Sequence, residues 1–239
     1  MQPSPTESTR PSAKEKQGGL LGNLIFNIIL PTVIMTKLSS EEYLGPLMAI
    51  AVALIFPIGY GIKDYLSAHK PNFFSILGVV SVILTGTMSL LKLPPEYIAI
   101  KEAAIPGLFG LATLFSVNTR WPLVRTFLFN EQVMKVHVVH DALAHYGNEQ
   151  AFEVKLRNAS YMVAASFFLS SVLNYVLAKV ILVSEPGTVA YTEELGKMTA
   201  LSFPVIALPS TLVMMIALGY LLKQIKALTH LDLEDVFHS

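Results

Sequence analysis

The chain has 239 residues, 53% of them hydrophobic and only 14% charged, where a soluble domain carries about 25% charged residues. So little charge cannot solvate a globular surface, which excludes a soluble enzyme. The 17 basic and 17 acidic residues cancel, leaving no basic block for nucleic acid, and the absence of cysteine removes disulfides, thiolate metal sites and a Cys nucleophile.

Residues 1–17 are rich in Pro, Ser and Thr and have no apolar face. They are expected to form a disordered cytoplasmic tail. Charge-free apolar runs follow. About 20 such residues cross a hydrocarbon core of about 30 Å. Six runs qualify, at about 18–36, 43–62, 71–91, 97–119, 158–180 and 198–222. The first follows Arg10, Lys14 and Lys16, but no small-x-small cleavage site comes after it, so it reads as an uncleaved anchor. The runs are apolar on all sides and lack the alternation of barrel strands. The expected fold is all-α: a polytopic membrane protein, a six-transmembrane-helix bundle over 18–226. A cytoplasmic amphipathic loop is expected at 120–157 and a cytoplasmic tail at 227–239.

Lys and Arg set the orientation. The N-terminal tail, the 63–70 loop, the 120–157 loop and the C-terminal tail together hold twelve, and the opposite loops hold five. Both termini are therefore expected on the cytoplasmic side.

Candidate functional residues follow in chain order. Asn23 and Asn27 are four apart and share a face of the first helix. Amides in hydrocarbon need partners, either another helix or a polar path. Pro31, Pro57, Pro106, Pro204 and Pro209 lie inside spans and loosen the helices that hold them. Lys101 and Glu102 open the fourth span, and Lys197 opens the sixth. They read as interfacial anchors or as a lipid or anion site at the outer leaflet. Arg120, Trp121 and Pro122 mark a membrane exit. Leu123, Val124, Phe127 and Leu128 then suit a short interfacial helix.

Next come His137, Asp141 and His145 at i, i+4, i+8, with His140 beside them. As metal ligands they are poor, because the segment lacks the Glu base of HExxH and a firm third ligand. No metal is expected. An amphipathic helix burying Val136, Val139, Leu143 and Ala144 against bilayer or bundle accounts for the pattern better. The histidines would still titrate near neutral pH. In the fifth span Asn174 lies near Ser166, Ser170 and Ser171.

The order of these segments resembles the intracellular septation protein A family of bacterial inner-membrane proteins, and more closely its longer relatives. The likeness covers about residues 20–225. It rests on Leu30-Pro31, Thr85-Gly86, Glu96, Ile98 and Lys101, then Pro122-Leu123-Val124, Phe167-Phe168, Asn174, Lys197 and Thr199-Ala200-Leu201. The N-terminal tail and the histidine-bearing loop are longer than the family pattern. The resemblance implies a setting in envelope integrity and membrane homeostasis, with no defined reaction.

The expected function is therefore a non-enzymatic protein of the bacterial inner membrane, multi-pass, serving cell-envelope maintenance without a cofactor. Expected partners are membrane lipids, envelope or division proteins, and a second copy of the chain. One alternative is a small transporter with a polar path between the first and fifth helices. The other is a metal- or pH-sensing membrane protein that uses the histidine loop.

Overall fold

A computed structural model of the chain describes Gly22 and residues 24–68, 73–119, 122–129 and 134–237. Asn23, the tail at 1–17 and Arg120-Trp121 lie outside the described residues. The described chain is helical. Its elements are α1 (Ile25–Lys37), α2 (Pro46–Ala68), α3 (Phe73–Leu90), α4 (Pro95–Ser116), α5 (Leu123–Leu128), α6 (Val136–His145), α7 (Glu149–Ile181), α8 (Val189–Thr229) and α9 (Leu233–Val236). Its one extended pairing is an isolated antiparallel bridge between Met134 and Phe237. Helices α2, α4, α7 and α8 are long and apolar enough to cross a membrane, and Ile25–Lys37 and Ile76–Leu90 are shorter apolar helices. This is the make-up of a membrane protein.

Two boundaries differ from the sequence expectation. Helix α7 begins at Glu149, well before the charge-free stretch at 158, and α8 begins at Val189 rather than 198. In both cases polar turns continue the helix past the apolar run, because a helix satisfies its own backbone whatever its surroundings.

Two helices carry π-helical turns, at Ile25–Ile29 in α1 and Phe203–Ala207 in α8. Each ends on a Leu-Pro pair, Leu30-Pro31 and Leu208-Pro209. The proline lacks an N–H and its ring crowds the carbonyl four residues back. The preceding leucine instead donates five residues back, Leu30 to Ile25 O and Leu208 to Phe203 O. The widened turn takes up the clash.

The chain divides into two units, one of residues 1–95 and 181–200, the other of 96–180 and 201–239. In the first, α1, α2 and α3 pack with the opening turns of α8. Thr32 Oγ1 donates to Gly196 O at 3.4 Å. Gly196 has to be glycine: a Cβ there would sit 3.1 Å from that of Met35 and 3.3 Å from the Thr32 carbonyl.

The second unit has two parts built on α7. Its apolar part pairs α4 with α7 in antiparallel register. Its other part is a small head of α5, α6, α9, the first turns of α7 and the last turns of α8. The head's core includes Val124, Met134, Val139, Leu143, Phe152, Leu156, Leu221, Ile225 and Val236, all buried. Of the described residues in 120–157, Val124, Phe129, Met134, Val139, Leu143, Phe152 and Leu156 are packed into this core. Val139 and Leu143 are buried as expected, whereas Ala144 is exposed.

Candidate functional site

The α4–α7 pair concentrates the buried polar chemistry of the second unit. Glu96 opens α4 and accepts from Lys179 Nζ at 3.0 Å. About one and a half turns further along, Lys101 Nζ meets Glu102 Oε1 at 2.7 Å. Ser171 Oγ then donates to Ala103 O at 2.7 Å. Pro106 deprives the Glu102 carbonyl of its helical donor and weakens the neighbouring bond, so a donor from α7 suits this turn. Gly107 makes room for it: a Cβ there would lie 3.1 Å from Ser171 Oγ. One turn on, Gly110 lies beneath the Phe168 ring, and Phe109 stacks on Phe167 at 5.6 Å between centroids.

Lys101 is only 8% exposed. It lies about 9 Å along α4 from Pro95. A lysine there is expensive unless a carboxylate matches it, and Glu102 does so. Glu96, five residues before Lys101, is engaged by Lys179 instead. Lys197 belongs to the first unit, where it is 58% exposed and 3.9 Å from Glu193.

The amides of the apolar helices are placed differently. Asn174 Nδ2 donates to Ser170 O of its own helix at 2.8 Å, so its demand is met locally. Asn27 falls within the π-helical turn of α1 and is half-buried.

The histidine loop forms α6. His137, His140, Asp141 and His145 occupy its exposed face, opposite Val139 and Leu143. His140 Nε2 lies 3.7 Å from Glu149, and the Tyr146 ring packs edge-on to both His145 and His230. Among the described residues no group of three His, Asp or Glu is placed to hold a metal ion.

Sequence reasoning missed a second polar cluster, in the first unit. Ser39, Ser89, Tyr191 and Thr192 are all fully buried. Thr192 Oγ1 donates to Pro46 O at 3.3 Å and Ser89 Oγ to Thr85 O at 2.8 Å. Tyr191 Oη has the Ser89 hydroxyl as a neighbour but closes no hydrogen bond of normal geometry, and Ser40 Oγ is likewise unmatched. Nearby, Glu194 gathers the loop after α7. Its carboxylate accepts from the Val183 and Ser184 amides, both at 3.0 Å, and from Ser184 Oγ at 2.6 Å. The only sequence signal was a Tyr-Thr pair opening an apolar helix.

Comparison with protein-family models, curated proteins and solved structures finds no match to this chain.

Proposed function

We propose that the chain is a non-enzymatic six-span protein of the bacterial inner membrane, with both termini cytoplasmic, that maintains the cell envelope through lipid or partner-protein contacts. The observation that carries this reading is the folded head. An anchor alone needs no structured part outside the bilayer. Here nine buried residues beyond the apolar runs, Val124, Phe129, Met134, Val139, Leu143, Phe152, Leu156, Ile225 and Val236, pack together in the head. Lys135 N–H to Val236 O at 2.8 Å and Asn148 Nδ2 to Leu228 O at 2.8 Å tie its segments. Its outward face carries His137, His140, Asp141 and His145, a polar surface suited to contact rather than to burial. The resemblance to the septation protein A family supports the envelope setting.

The reading predicts that a deletion strain is sensitised to envelope stress and rescued by the full chain, with reporters at both termini giving a cytoplasmic signal. An unsensitised strain, together with solute flux in liposomes holding the purified chain, would replace it with transport. That second reading is favoured by the π-helical turns at Ile25–Ile29 and Phe203–Ala207. Pro-interrupted helices are where carriers expose backbone to a substrate.

A further inference from the structure

At the end of α4 away from Lys101, a cavity of about 180 Å³ opens beside α7. Val117, Pro122 and Val154 give it apolar walls, and Asn118, Glu153 and Arg157 give it polar groups. Its depth follows from helix length. The 33 residues of α7 make about 50 Å of helix, against about 30 Å of hydrocarbon. The charge-free stretch of α7 starts just after Arg157. The first turns therefore stand clear of the bilayer, and Arg157 falls at headgroup level. Val117 and Asn118, just past the end of α4, line the cavity together with this turn of α7.

Charge selects the occupant. Glu153 is engaged by Arg125, so its carboxylate is already matched. Arg157 is exposed and has no ion-pair partner among the described residues. Asn118 is also exposed and offers a second donor. A lone guanidinium over apolar walls, at the face richest in Lys and Arg, matches a phosphate joined to an acyl glycerol. We propose that this cavity binds the phosphate of an anionic phospholipid from the leaflet on the basic side, with Arg157 as its principal ligand. The inference deepens the lipid-contact reading above and rests on it.

The test uses the full chain in detergent, titrated with phosphatidylglycerol and, separately, phosphatidylcholine, with bound lipid counted by native mass spectrometry. Phosphatidylglycerol should bind more tightly. Arg157→Gln should weaken it roughly tenfold, the loss of one charge-assisted contact, and Arg157→Lys should restore part. Asn118→Trp, which fills the cavity and keeps the charge, should weaken it as well. Lys179→Gln, at the other end of α7, should leave it unchanged. Wild-type binding by both Arg157→Gln and Asn118→Trp, each with an unchanged melting curve, would overturn the proposal. So would competition by inorganic phosphate alone at a matching concentration, since the site would then be one for a free anion. If the variants lose lipid while the deletion strain shows no envelope defect, the site stands and the envelope function falls.

Discussion

Along α7, Phe152 and Leu156 are 2% and 1% exposed, whereas Val172, Val176 and Val180 on the same helix are 59%, 49% and 65% exposed. The first pair belongs to the head. The second group lies on the exposed face of the apolar stretch. One continuous helix thus meets two solvents. In the head, removing apolar area from water drives packing. In the apolar part, lipid is as good a partner for valine as protein is, so close helix contact and matched polar groups must hold α4 to α7. The same residue type should therefore carry very different weight at the two ends.

The largest effect is expected at the head. Phe152→Ala removes a buried ring that packs at 5.0 Å on Phe129 and should cost about 4 kcal/mol. Thermal unfolding in detergent, followed by circular dichroism, reads it. Val176→Ala on the outward face of α7 should leave the same curve almost unmoved. Equal losses from the two variants would erase the distinction between the ends.

Next comes the buried pair in α4. Lys101→Met removes the ammonium that lies 2.7 Å from Glu102 Oε1 and should cost about 3 kcal/mol. The double variant Lys101→Met/Glu102→Gln removes both charges and should recover most of that. A double variant as unstable as the single would show that the two side chains act separately. A smaller loss, about 2 kcal/mol, is expected from Gly110→Val, because its branches would drive into the Phe168 ring, already 3.1 Å from where a Cβ would sit.

Much of this was legible in the chain and some was not, for physical reasons. Apolar runs between charges mark membrane-spanning helices because hydrocarbon tolerates little else, and the runs behind α2, α4, α7 and α8 stood out. Val139 and Leu143 were readable as the buried face of α6 from their four-residue spacing. The start of α7 at Glu149 was hidden because residues 149–157 are largely polar, and only Phe152 and Leu156 betray a buried face. Lys101 read as a snorkelling anchor because a helix end is where lysines snorkel; its burial depends on α7, which local sequence does not name. The cavity at Arg157 depends on two segments about 40 residues apart meeting at one level. The π-helical turns had a visible cause in Leu30-Pro31 and Leu208-Pro209, but a proline alone does not reveal whether a helix kinks, breaks or widens.

The smallest effect concerns the ion pair that follows the head's last long helix. Lys226 Nζ lies 2.7 Å from Asp232 Oδ1, with the two side chains 59% and 74% exposed. The hydrogen bond from Lys226, then its charge, hold the Asp232 carboxyl below its ordinary value of 3.8. A carboxyl with a depressed folded-state pKa stabilises the fold above its unfolded value and loses that contribution as pH falls through the folded one. The pair should therefore make no difference to pH dependence between about pH 5 and about pH 9; its small share fades in strong acid, and again in strong base because Asp232 holds the Lys226 ammonium above its ordinary 10.5. Water and salt screen so exposed a pair. Asp232→Asn should thus shift the melting temperature slightly by a constant amount near neutrality, with the gap closing below pH 3.8 and shrinking in high salt. Melting curves of the wild type and the variant across pH and salt measure this. A shift rivalling that of Phe152→Ala would mean that the charged clasp after α8, and not the apolar core of Phe152, Leu156 and Leu221, holds the head together. The contrast between the two ends of α7 would then need another cause.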